Sequence, residues 1–190
     1  MKLCQNQYYH FYSRTNNEEL LFRSNENYIY FLKKYRYYLD NFFDTIGYCL
    51  MPAHFHFLVR IKEKTPTHPM TSQSSDEFLI SNTIAILLRS YTRAFNKMYD
   101  RHGSLFQARY KAKLIDNDKY LITLLTYIHQ NPVRAGLTTK AEEWLFSSYQ
   151  DYIDLRKGSL PQKELILSMI SRKDLFELTN NKINNIDTKF

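Results

Sequence analysis

Two histidines flank one aromatic in the run Met51-Pro52-Ala53-His54-Phe55-His56-Phe57-Leu58-Val59. A strand turns successive side chains to opposite faces. His54 and His56 therefore point the same way, close enough to share one metal ion, while Phe55, Phe57 and Val59 point into a core. Taken alone, two imidazoles so placed are more often surface or hydrogen-bonded histidines than ligands. As ligands they would hold Mg²⁺ or Mn²⁺ against a phosphodiester, where the ion draws charge from the non-bridging oxygens and orients phosphorus for attack. An attacking group is available in Tyr127-Ile128-His129-Gln130-Asn131-Pro132-Val133-Arg134. Spacing by four puts Tyr127 and Asn131 on one side of a helix, so that a phenol oxygen and an amide oxygen can face one metal. Packing is the competing account: Tyr120, Leu124 and Tyr127 also form an apolar helical stripe, in a chain with 16 tyrosines.

Composition narrows the partner. Lys and Arg number 26 against 19 Asp and Glu, a formal charge of +7, and aromatics make up 16% of 190 residues. Basic charge interleaved with rings suits a polyphosphate whose bases are unpaired, the charge holding phosphates and the rings stacking on bases. Cys4 and Cys49 lack metal-site spacing, which excludes a disulfide scaffold and points to reduced thiols. The sequence has no apolar run of membrane-spanning length and no apolar core in its first residues, so a cytoplasmic protein without membrane association is expected.

The elements that must position these residues follow in order. Tyr8 to Arg14 reads as a strand ending in the Thr15-Asn16-Asn17 turn. Ser24 or Asn25 caps a helix whose stripe is Tyr28, Phe31, Leu32, Tyr35, Leu39 and Phe42. Phe43–Leu50 and Ala53–Ile61 form two strands joined at Met51-Pro52. The Lys, Thr, Pro and Ser-rich stretch 62–75 reads as a flexible loop holding His68. A capping box at Ser74-Ser75-Asp76-Glu77 opens a second helix with the stripe Ile84, Leu87, Leu88, Tyr91, Phe95 and Met98. Arg89, Arg93 and Lys97 line one face of that helix, either solvated or facing phosphates. Arg109 to Asp116 alternates as a fourth strand, with Arg109, Lys111 and Lys113 on one face and Tyr110, Ala112 and Leu114 on the other. A third helix starts near Asp116 or Asn117 and is expected to stop near Gln130, before Pro132. The order β-α-β-β-α-β-α predicts an α+β, ferredoxin-like split β-α-β sheet with helices on one face. The main domain is expected over 1–154, and a helical extension (Lys163 to Leu178) with a loose tail over 155–190.

Three blocks resemble a known family. Tyr48 to Val59, Gly103 to Lys111 and Tyr127 to Leu137 look like the signature blocks of the HUH single-tyrosine (IS200-like) transposases, nearest to the REP-associated tyrosine transposase branch. With weaker similarity at Tyr9 to Arg14 and Trp144 to Tyr149, the likeness spans roughly residues 8 to 152. It implies a nuclease and strand transferase acting on single-stranded DNA, often folded into a hairpin. His54 and His56 would be paired ligands of a divalent metal, Tyr127 the nucleophile that forms a 5′-phosphotyrosine, and Asn131 a third polar group at the metal. Arg14, Arg93, Arg109, Lys111, Lys113 and Arg134 are the expected DNA-backbone contacts. Ala53 stands where the family usually has Asn, Gln130 where it commonly has an apolar residue, and the 62–75 loop is longer than usual. A non-catalytic binder of DNA or RNA hairpins is the alternative, and both a monomer and a homodimer are compatible with the likeness.

Overall fold

The computed structural model describes residues 3–63 and 76–181. The chain runs β1 (Tyr8–Arg14), α1 (Asn25–Leu39), β2 (Phe43–Met51), β3 (His54–Ile61), α2 (Asp76–Met98), β4 (Lys111–Ile115) and α3 (Asp118–Arg134). Short helices α4 (Tyr149–Tyr152), α5 (Glu164–Met169) and α6 (Arg172–Asn180) follow. The sheet order is β2-β3-β1-β4 with every neighbouring pair antiparallel, which is the expected split β-α-β arrangement. His68 and the Ser74-Ser75 half of the expected capping box lie outside the described residues.

Helices α1 and α2 cover one face. Their stripes meet Phe11, Phe55, Phe57, Tyr48 and Val59 in an aromatic core, where Tyr35 stacks on Phe57 at 4.0 Å. The third helix takes the opposite face, packing Leu121, Leu124, Leu125 and Ile128 on Ile46, Cys49, Met51 and Leu58. The sheet is thus sandwiched, and β2 and β3 are buried on both faces over most of their length, apolar toward α1 and α2 and mixed apolar and polar toward α3. The chain beyond α3 covers the outer edge of β2: Leu50 N–H donates to Phe146 O and Ser148 N–H to Tyr48 O. No helix among the described residues is long and apolar enough to cross a membrane.

Several boundaries differ from expectation. The third helix continues through Pro132 to Arg134. Proline forfeits only one bond near the end of a helix, and the terminus is closed by Leu137 N–H to Pro132 O and Gly136 N–H to Val133 O, with Gly136 at φ 68°. β4 starts at Lys111 rather than Arg109, since Lys111 is the last residue to pair with β1, opposite Tyr12. Leu114 is 44% exposed at the sheet edge, and Met98 is 60% exposed at the end of α2, so neither joins the core. The expected C-terminal helix is two helices broken at Ile170 and Ser171, and Ile166 and Leu175 are fully buried beside α3.

Candidate active site

Strand pairing builds the site. On β1 and β3 Arg14 lies opposite His54 and Tyr12 opposite His56, while His10 is the diagonal neighbour of His56 on the same face. His10 Nε2 and His56 Nδ1 are hydrogen-bonded at 2.9 Å, and the two rings stack. That bond settles which nitrogen of His56 would meet a metal: Nε2, with His10 orienting the ring from behind. The rings of His54 and His56 lie 5.0 Å apart, centroid to centroid, nearly perpendicular.

Burial keeps these imidazoles neutral. Desolvation, with Lys113 adding repulsion, pushes His10 down to about 3. Burial and then the charges of its histidine neighbours hold His56 well below the ordinary value of 6.5, and burial and Arg14 lower His54. Neutral imidazole is the form a metal requires. Among the described residues no group of three or more His, Cys, Asp and Glu is arranged to hold an ion. An ion on this histidine pair would therefore draw its remaining ligands from amide, water or phosphate oxygen, which suits Mn²⁺ or Mg²⁺.

Helix α3 brings the tyrosine. Asn117 caps it by accepting from Tyr120 N–H at 2.8 Å. It approaches β2 closely at Gly47, where the register slips; a Cβ there would run into Leu125 Cδ1. His129 Nε2 bonds Ser148 Oγ at 2.8 Å, and that hydroxyl accepts from Tyr48 N–H of β2. This docking sets the Tyr127 ring edge-on to His56, 6.2 Å between centroids, with the Arg134 guanidinium over the ring at 5.3 Å. Asn131 is buried one turn on and donates through Nδ2 to Tyr127 O at 3.0 Å, so its Oδ1 is the atom that would serve a metal.

His54, His56 and Tyr127 line one cavity of about 210 Å³, together with Tyr12, Ser13, Arg14, Gln107, Arg109 and Lys111. Arg14, Arg109 and Lys111, three of the expected DNA-backbone contacts, thus converge on it. A larger hollow of about 1540 Å³ shares Tyr12, Gln107, Arg109 and Lys111 with it and continues between α2 and β4 past Arg89, Arg93 and Lys113. Lys97 and Asn131 line neither hollow. Lys113 also donates to Tyr120 Oη at 3.3 Å and sits over that ring.

A family model for IS200-like transposases matches residues 4–131, an interval that contains both histidines and ends on Asn131. The chain belongs to the IS200-like transposase family. A Haemophilus influenzae protein named as a REP-associated tyrosine transposase is 29% identical over 116 residues, 56% of this chain and 59% of that protein. The solved structure of a REP-associated tyrosine transposase bound to a REP hairpin superposes with a TM-score of 0.61 over 81% of this chain and 83% of the other. Its identity is 19%, a likeness of fold.

In this IS200-like chain the sequence reading passed over His10, Tyr12 and Gln107. The signal for the first two was present: with Arg14 they occupy alternate positions of β1. Their value depended on β1 pairing beside β3, which spacing within one strand does not reveal. Gln107 holds Arg14 in place by accepting from its Nε at 3.0 Å, across 93 residues of chain.

Proposed function

We propose that this IS200-like transposase is a metal-dependent single-tyrosine transesterase that cleaves and rejoins single-stranded DNA carrying a hairpin. The observation that carries this reading is the meeting of Tyr127 with His56 at the wall of a cavity that also presents His54, Arg14, Arg109 and Lys111. The class of DNA is suggested by the hairpin bound to the structural relative and by the basic hollow between α2 and β4.

In the proposed reaction Arg14, Arg109 and Lys111 hold the phosphodiester by charge-assisted hydrogen bonds. The Tyr127 hydroxyl oxygen attacks phosphorus, the bond to the 3′ oxygen breaks, and the 3′-hydroxyl leaves with a proton. The product on Tyr127 is a 5′-phosphotyrosine. Because one phosphoester replaces another, a later 3′-hydroxyl can attack it, restoring the tyrosine and joining DNA without an external energy source. A divalent ion held by His54 and His56, with Asn131 as the third group that the family likeness implies, would neutralise the non-bridging oxygens and assist a phenol whose ordinary pKa is about 10. His10 keeps the His56 ring oriented, and the Arg134 guanidinium over the Tyr127 ring holds that ring in place.

The test is incubation with labelled hairpin-bearing single strands in Mn²⁺, Mg²⁺ or EDTA, beside Tyr127→Phe. A covalent protein–DNA adduct is expected with metal and wild-type chain only, and at lower concentration of Mn²⁺ than of Mg²⁺, since imidazole prefers the softer ion. Tyr127 is only 6% exposed, which favours a hairpin binder without catalysis. Tight hairpin binding with no adduct under any metal would decide for that binder.

A further inference from the structure

The C-terminal helices are tied to the helix of the proposed nucleophile at one side chain. Gln130 is buried on α3, three residues after Tyr127 and one before Asn131. Its Nε2 lies 2.6 Å from Thr179 O, 2.7 Å from Asn181 O and 3.4 Å from Leu178 O. These are carbonyls at the end of α6, where a helix has no partners of its own for its last acceptors. The amide therefore caps α6 from the side, at the negative end of that helix.

The rest of α6 is fastened elsewhere. Leu175 is fully buried in the cluster that holds Leu121, Leu124 and Ile128 of α3. Arg172 donates to Tyr152 O at 3.0 Å and pairs with Asp154 at 3.1 Å. Tyr152 in turn donates its hydroxyl to Ile46 O of β2 at 2.8 Å. A brace thus runs from the sheet through α4 and α6 back to α3. Since a helix turns as a body, clamping Gln130 sets the rotation at which α3 presents Tyr127.

We propose that Gln130 is a positioning residue: through α6 it holds α3 so that Tyr127 faces the histidine pair of its own chain. This rests on the reading of Tyr127 as nucleophile. It makes the C-terminal helices part of the catalytic architecture through their hold on α3.

Gln130→Glu keeps the shape and replaces the donors with acceptors, and Arg172→Gln loosens α6 without touching α3. Both are compared with wild type and Tyr127→Phe for single-turnover adduct formation at saturating hairpin DNA, hairpin Kd and melting temperature. Wild type forms an adduct that Tyr127→Phe loses. Gln130→Glu then slows adduct formation about tenfold and Arg172→Gln about threefold, each with Kd changed less than about twofold, because ångström-scale misplacement costs rate rather than binding. Wild-type rates in both variants, or losses of rate that follow losses of DNA affinity, overturn the positioning role while leaving the nucleophile intact. No adduct from wild type overturns the nucleophile and this proposal together. Should Gln130→Glu fail to fold, Arg172→Gln decides.

Discussion

The two faces of β3 are built to opposite rules. Toward α1 and α2 it sends Phe55 and Phe57 into a layer of rings: Phe11, Phe31, Tyr35 and Tyr91 are almost wholly buried, and the tyrosine hydroxyls find partners such as Thr45 Oγ1 and Leu21 O. Toward α3 the same strand sends His54 and His56, and that side of the sheet also buries the polar side chains of His10, His129, Ser148, Gln130 and Asn131. One face is held by area removed from water and by ring packing. The other accepts the cost of burying polar groups, offset by a chain of hydrogen bonds, and gains neutral donors that stay in place. A strand's alternation lets one segment of chain hold a core and a site back to back.

The comparison is broken most sharply by two substitutions. Tyr127→Phe removes one oxygen from a packed ring, so melting should hardly change while adduct formation falls at least about 10³-fold, the scale of losing a nucleophile. Phe57→Ala on the other face should do the reverse: a loss of about 3–5 kcal/mol of stability in denaturant unfolding, from the cavity left beside Tyr35. A full-strength adduct from Tyr127→Phe, or a fully stable Phe57→Ala chain, would erase the division between the faces.

A smaller effect sharpens it. His10 and His129 are pushed by burial from 6.5 to about 3 in the folded chain. Between those values the unfolded chain binds protons that the folded chain refuses. Stability should therefore be full above pH 6.5 and fall as pH drops, by about 1.4 kcal/mol per pH unit for each such histidine. Urea unfolding at pH 6.5 and pH 5 checks this, and His129→Gln should flatten the slope by one histidine's share. An unchanged slope would mean that His129 is protonated in the folded state. Smallest of all, Arg93→Ala at the groove between α2 and β4 should weaken hairpin binding by about 0.5–1 kcal/mol and lower the salt dependence by roughly one counterion, with adduct chemistry at saturation untouched.

Much of this was legible before the fold. Alternation in β3 separated His54 and His56 from Phe55 and Phe57, helical spacing put Tyr127 and Asn131 on one side of α3, and the stripes of α1 and α2 found their core. These patterns are local, set by the periods of strand and helix, and a few residues of sequence suffice to state them. Pro132 misled because a local rule about proline ignores how near the helix end it falls. What only the tertiary structure decided is which elements become neighbours. It placed β1 beside β3, so that His10 stands behind His56 and Arg14 beside His54. It put α3 on the face opposite α1 and α2, with Gly47 leaving room for Leu125. It also turned Gln130 from an odd residue in an apolar place into a cap for α6. Each of those contacts joins residues tens of positions apart, and their pairing follows from packing two faces of one sheet, which no period within a single element encodes.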